Sequence, residues 1–166
     1  MMADVYLALG SSLNSEANLR QALRLLRTSY ETVAVSGVYR TAGEGSGAGF
    51  DFLNAALHLR TNLAPVELKQ ELRALEAQMG RVRDGSSAAH PIDLDIVLWG
   101  EESFEYGAKP WRVPDLAILR AAYVAMPLAE IAPDLHYPGD GRTLAQIAAA
   151  LVGAEIERIA FDWDAA

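Results

Sequence analysis

This chain of 166 residues has no cysteine, three histidines, and 14 lysines and arginines against 22 aspartates and glutamates. Without cysteine there is no disulfide scaffold, no zinc–thiolate site and no cysteine nucleophile. A reducing cytoplasm is the expected compartment. The formal net charge of −8 has the same sign as a nucleic-acid backbone, so nucleic acid is not an expected partner. No apolar run approaches the ~20 residues a membrane helix needs. The opening Met-Met-Ala-Asp lacks the basic start of a signal peptide, so no membrane partner is expected either. An anionic small molecule bound by so acidic a chain must meet a local basic cluster, a metal ion, or both.

What is present is enough apolar material for a core, 51% of residues. No repeat, low-complexity tract or linker divides the chain, so one domain over 1–166 is expected. Val5 to Leu9 reads as a strand running into the Gly10-Ser11-Ser12 turn. Ser15 is placed to cap a helix whose apolar stripe is Leu19, Ala22, Leu23 and Leu26. Thr32 to Tyr39 reads as a second strand, and residues 42–49, with glycines at 43, 45, 47 and 49, as a flexible loop. Phe52 to Arg60 is a third strand, with Leu53, Ala55, Leu57 and Leu59 on one face and Phe52, Asn54, Ala56 and His58 on the other. Pro65 suits the first turn of a second helix with the stripe Leu68, Leu72, Leu75 and Met79, ended by Gly80. Residues 84–90 form a small-residue loop, open to lid-like movement, before a fourth strand.

The order βαββαβ is the split pattern of a ferredoxin-like α+β fold, an antiparallel sheet with helices on one face. Beyond it, residues 101–114 look irregular and Leu116 to Leu128 looks helical as far as Pro127. Thr143 caps a short helix bearing Leu144, Ile147 and Leu151, and Glu155 to Trp163 offers one more strand. The expected architecture is the ferredoxin-like core plus a C-terminal helical extension.

The fourth strand carries the chemistry. In Pro91-Ile-Asp-Leu-Asp-Ile-Val-Leu98, acids at 93 and 95 alternate with apolar residues at 92, 94, 96 and 98. The pleat puts both carboxylates on one face, about 7 Å apart at their backbones from two rises of roughly 3.3 Å. They can converge on one hard cation or a pair, or be two solvated acids on an edge strand. Arg81 and Arg83, just past a helix end, suit phosphate oxygens, or simply the helix dipole. Glu76 reads equally as a solvated helix residue, and His90 as a phosphate contact or a turn filler. Asn54 beside Phe52 suits a flat heterocycle, hydrogen-bonded at its edge and stacked on the ring, or is a satisfied sheet asparagine.

Seven segments in order, Tyr6-Leu-Ala-Leu-Gly-Ser11, Val38-Tyr-Arg-Thr41, Asp51-Phe-Leu-Asn-Ala-Ala56, Leu75-Glu76 with Gly80-Arg-Val-Arg83, Asp93-Leu-Asp-Ile96, Val113-Pro114 and Pro127-Leu-Ala-Glu-Ile-Ala-Pro133, resemble the 6-hydroxymethyl-7,8-dihydropterin pyrophosphokinases of folate biosynthesis. The resemblance runs from about Val5 to Leu144. It implies transfer of pyrophosphate from ATP to the hydroxymethyl group of a dihydropterin, leaving AMP, by a cytoplasmic monomer. It implies that Asp93 and Asp95 hold two Mg²⁺ ions and act with Arg81 in catalysis. Glu76, Arg81, Arg83 and Ile96 match nucleotide-side positions. Asn54 and Thr41 match pterin-binding positions, with Phe52 and Tyr123 as the two rings that sandwich the pterin. The departures fall on the nucleotide side. His90 stands at a loop arginine, the usual loop tryptophan is absent, Asp115 and Leu116 replace a histidine segment, and Ala121 replaces an arginine beside Arg120. Arg112, Arg120 and Arg60 are the candidate substitutes. A same-fold binding protein that has lost transfer activity and a metal-dependent phosphohydrolase are the alternative readings.

Overall fold

The computed structural model describes residues 2–42, 50–83, 89–151 and 153–165. The glycine-rich loop and most of the loop before Asp93 lie outside the described residues. β1 (Ala3–Ser11) runs down the sheet and leads into α1 (Ser15–Ser29). β2 (Glu31–Val35) and β3 (Val38–Ala42) follow, then β4 (Asp51–Thr61), α2 (Pro65–Gln78) and β5 (Asp93–Trp99). The second expected strand is thus two: the Ser36-Gly37 step separates β2 from β3, and both pair with β4. The six-stranded sheet has the order β5-β1-β4-β3-β8, with β2 also on β4, and every pairing is antiparallel. β8 (Glu157–Ile159) lies within the expected C-terminal strand and adds to β3. The ferredoxin-like α+β core is therefore present.

Helices cover both faces of this sheet. Leu19, Ala22, Leu23 and Leu26 of α1 and Leu68 and Leu72 of α2 close one core with Val5, Leu7, Leu9, Leu53, Ala55, Leu57 and Leu59. The expected split of β4 into two faces holds, since Ala56 joins the opposite core. That second core is roofed by a 3₁₀ turn (Leu116–Leu119), α3 (Ala122–Ile131) and α4 (Leu144–Ala150). The expected continuous helix from Leu116 is broken at Arg120-Ala121, and α3 continues through Pro127. Thr143 caps α4 as expected, accepting from the Gln146 amide at 3.2 Å.

Three further expectations change. Ser15 does not cap α1. It is already helical, its hydroxyl donates to the Ser11 carbonyl at 2.9 Å, and Asn14 takes the cap position at φ 46°, a left-handed conformation asparagine tolerates. Leu98 does not share a face with Leu94 and Ile96. Leu7 pairs with Ile96 but Tyr6 with Leu98, so Val97 is an extra residue, and Val97 and Leu98 both enter the second core. Residues 101–114 are ordered as a hairpin of β6 (Phe104–Tyr106) and β7 (Trp111–Val113). Trp99, Phe104, Tyr106 and Trp111 form a chain of ring contacts at 6.2, 6.0 and 5.8 Å from the core to the hairpin end. Gly107 permits it: φ is +84° there, and a Cβ would strike the Trp111 ring.

Among the described residues no helix is long and apolar enough to cross a membrane. Leu57 on the central strand β4 is fully buried. Leu57→Ala is expected to destabilise the protein by roughly 2–5 kcal/mol, read from the urea midpoint.

Candidate active site

The site lies at one end of the sheet, where the start of β5, the end of β1, the start of β4 and the end of β3 meet. Cross-strand partners share a face, so Asp93, Gly10 and Asn54 form one row and Asp95, Ala8 and Ala56 the next. The small residues in β1 leave space above the sheet between the acids and Asn54. A Cβ on Gly10 would lie 3.3 Å from Asn54 Oδ1, so glycine lets the carboxamide lean over the strand.

Two cavities open from this row. One, of about 730 Å³, is lined by Gly10, Thr41, Phe52, Asn54 and, across from them, Arg120 to Val124 with Tyr123. Asn54 is nearly buried and donates to Thr41 Oγ1 at 3.1 Å. That bond fixes its carboxamide with the nitrogen on Thr41 and the oxygen, an acceptor, over Gly10. Residues 154–156 before β8 complete the wall. The other cavity, of about 510 Å³, is polar and basic. Lys69, Arg73, Arg81, Arg83 and Arg112 line it with Ile96, Tyr106 and Trp111. Asp93 and Asp95 line both cavities, so the two carboxylates form the wall between them.

Helix α2 fixes that wall. Glu76 is only 2% exposed, and its Oε2 accepts the Leu94 amide at 2.7 Å while Oε1 pairs with Arg83. β5 is the sheet edge, so the Leu94 N–H, between the two aspartates, has no strand to bond to and takes the buried carboxylate instead. Arg81 reaches forward from the same helix end, its amide bonded to the Glu76 carbonyl at 2.9 Å and its Nη1 2.8 Å from Asp93 Oδ1. Its Nη1 is engaged by that ion pair, and its Nε is buried without a hydrogen-bond partner among the described residues. The guanidinium lines the basic cavity beside Asp93, a geometry that suits a phosphate oxygen as a further partner.

The Asp95 carboxyl is pushed up to about 6, first by desolvation in the packed cleft, then by the negative charges of Asp93, Glu76 and Asp115. Lys69 opposes them from 3.8 Å. The Asp95 side chain is nevertheless 57% exposed, so a cation can reach it. Asp115 does not turn away from the basic cavity, although its Oδ1 is occupied as the cap of the 3₁₀ turn, accepting the Ala117 amide at 2.8 Å. The donor set fits Mg²⁺. Two carboxylates on one face suit an ion coordinated mainly by water and substrate phosphates.

The site residues expected from sequence are thus divided. Asp93, Asp95, Arg81, Arg83 and Ile96 meet at the basic cavity, and Thr41, Phe52, Asn54 and Tyr123 line the other. Glu76 lies behind the wall and touches neither cavity. Of the candidate substitutes, Arg112 lines the basic cavity, Arg120 faces the other, and Arg60 is held 3.2 Å from Asp4 at the far end of the sheet. His90 turns its ring to Phe52 at 6.3 Å. Sequence reasoning missed Lys69, Arg73, Tyr106 and Trp111. The signal for the first two was their i, i+4 spacing on one helix, shared with Arg73 to Glu76 at i, i+3.

A scan of family models matches residues 6–133 to 7,8-dihydro-6-hydroxymethylpterin-pyrophosphokinase (HPPK). The 2-amino-4-hydroxy-6-hydroxymethyldihydropteridine pyrophosphokinase of Pseudomonas aeruginosa is 39% identical over 162 residues, covering 96% of this chain and 98% of that protein. The enzyme of that name from Methylorubrum extorquens is 34% identical, over 95% of this chain and 99% of its own length. Among solved structures, wild-type Plasmodium falciparum HPPK-DHPS with pteroate superposes with a TM-score of 0.72 at 11% identity. It covers 92% of this chain, which spans only 43% of that longer chain.

With its folded-state value raised, Asp95 binds its proton more tightly folded than unfolded. Its contribution therefore falls as pH rises from about 4 to about 6, and stays low above that. Asp95→Asn should raise the melting temperature of the ligand-free protein at pH 7.5 relative to wild type, with the gap shrinking towards pH 4. A variant less stable at pH 7.5 than at pH 4, relative to wild type, would contradict this.

Proposed function

This chain belongs to the 7,8-dihydro-6-hydroxymethylpterin-pyrophosphokinase family, and we propose that its joined cavities transfer the pyrophosphoryl group of ATP to the hydroxymethyl group of 6-hydroxymethyl-7,8-dihydropterin in folate biosynthesis, leaving AMP. The observation that carries this reading is the shared carboxylate wall. Among the described residues, a hydrogen-bonding pocket with two rings on one side and a basic pocket on the other share Asp93 and Asp95.

The pterin is held by Asn54 and Thr41 at its edge and by Phe52 and Tyr123 at its faces, which presents its hydroxymethyl arm to the wall. The phosphates are held by Arg81, Arg83 and Arg112, with Ile96 beside the nucleotide. Glu76 is a positioning residue that acts through Leu94 and Arg83. Two Mg²⁺ ions held by Asp93 and Asp95 would supply charge neutralisation for the transferring group and acidify the attacking hydroxyl. Because both substrates are held against the same two residues, the rest of the catalysis is positioning, which alone can supply several kcal/mol of the barrier. A cytoplasmic monomer over 1–166, with small-molecule substrates as its partners, is part of the same proposal.

The test is incubation with ATP, Mg²⁺ and 6-hydroxymethyl-7,8-dihydropterin while AMP is followed. AMP is expected only when pterin is present. Tight pterin binding without AMP would instead leave a binding protein, and nucleotide breakdown without pterin a hydrolase. Asp95→Ala should lower kcat by at least roughly a thousandfold, about 4 kcal/mol of transition-state stabilisation, with an unchanged circular dichroism spectrum. Near-normal turnover by that variant would refute the metal assignment.

A further inference from the structure

The cations that the family resemblance expects in the loop before Asp93 and after Pro114 are missing from this chain, where His90, Asp115 and Ala121 stand. The basic cavity draws its charge from elsewhere, from α2 and the β6–β7 hairpin. Arg81 and Arg83 are already engaged with Asp93 and Glu76. Lys69 is placed differently. It belongs to the buried side of α2 beside Leu68 and Leu72 and is only 8% exposed, a rare position for lysine. Its stem runs along the core and its ammonium emerges at the cavity, 3.8 Å from Asp95 Oδ1. That distance makes an ion pair but not a hydrogen bond. The ammonium also lies 5.6 Å above the Trp111 ring, which Arg73 covers at 5.2 Å. Trp111 is itself held by Tyr106 and the tight Gly107 turn.

Among the described residues the ion-pair partner of Lys69 is Asp95, a carboxylate the reaction needs for metal. An ammonium and a divalent cation cannot share Asp95 without repulsion. Resting on the pyrophosphokinase reading, we propose that Lys69 is a phosphate ligand of this enzyme, whose ion pair with Asp95 gives way to one with phosphate. When a divalent cation takes the carboxylate, the ammonium turns to the phosphate chain in the same cavity, with Trp111 limiting its swing. Lys69 thereby supplies from a helix the charge that the loop lacks.

Two dissociation constants test this, measured by calorimetry on the full chain as wild type, Lys69→Met and Lys69→Arg. One is for Mg²⁺ alone, the other for Mg²⁺ with α,β-methylene-ATP. In Lys69→Met the metal alone should bind about three- to tenfold more tightly, because a repelling charge is gone. The metal–nucleotide complex should bind roughly tenfold or more weakly, because a charged phosphate contact is lost. Lys69→Arg should restore nucleotide affinity to within a few-fold. Opposite movement of the two constants is the signature, since a lysine that merely supported the fold would weaken both. Unchanged nucleotide affinity in Lys69→Met, or a loss of both affinities together, would overturn the proposal. Should Lys69→Met fail to fold, Lys69→Gln decides on the same two constants. If wild type itself binds no metal–nucleotide complex, it is the pyrophosphokinase reading that falls.

Discussion

The hydrogen bond from the Leu94 amide to the buried Glu76 carboxylate, at 2.7 Å, is the contact on which the site depends. β5 is the edge of the sheet, and an edge offers unpaired N–H groups to any passing strand. Leu94 lies between the two aspartates, so whatever satisfies its amide also sets where their side chains point. A water would satisfy it loosely. Glu76 does so from a packed helix, and its second oxygen draws in Arg83. A buried carboxylate unpaired would be costly, and each of its two partners makes the other more secure. The α2 end, the strand and the two arginines therefore form one unit rather than four separately placed groups.

That unit also explains why the wall is electrostatically tense. Glu76 adds a third negative charge behind Asp93 and Asp95, and Asp115 adds a fourth from the 3₁₀ turn. The cleft holds these acids close against desolvation and one another, and the result is a carboxyl at Asp95 that resists ionisation. The same crowding makes the wall attractive to a cation. Stability is given up at the place where a positive ligand restores it, a pattern expected where a site is built for a ligand rather than for the fold. In a chain of net charge −8, the basic cavity is a local inversion of the global field, focused on the few basic residues that line it.

Much of this could be read from the sequence because it rests on alternation. The faces of β4, the pairing of acids on β5 and the stripes of α1 and α2 follow from periods of 2 and 3.6, which packing respected. The bulge at Val97 was hidden because the apolar run from 96 to 98 fits either face until the register with Tyr6 and Leu7 is known. The β6–β7 hairpin was hidden for a related reason. Its strands are three residues each, too short to show alternation, and their order comes from ring contacts with Trp99 rather than from pattern. Glu76 could be read only as a nucleotide-side position or a solvated helix residue, and Lys69 was missed. A charged residue looks the same in sequence whether water or a buried amide receives it, and only the edge position of β5 decides.

The source of the cavity's charge has a further consequence for how the site is assembled. A cation carried on a loop must be ordered each time a nucleotide binds, and fixing one residue's backbone costs on the order of 1–2 kcal/mol. A cation carried on α2 is ordered when the protein folds, by the same packing of Leu68 and Leu72 that closes the core. Its reach is narrower, since one helix position and one side-chain length define where the charge can go. Such a site gives up adaptability and gains preorganisation, which favours a ligand of fixed shape. The phosphate chain of a nucleotide is flexible, but once it is gripped against a two-carboxylate wall its oxygens have few places left to be. A fixed cation therefore suits the basic cavity, while the wall segment at 154–156 lies on the other cavity, beside Phe52 and Asn54.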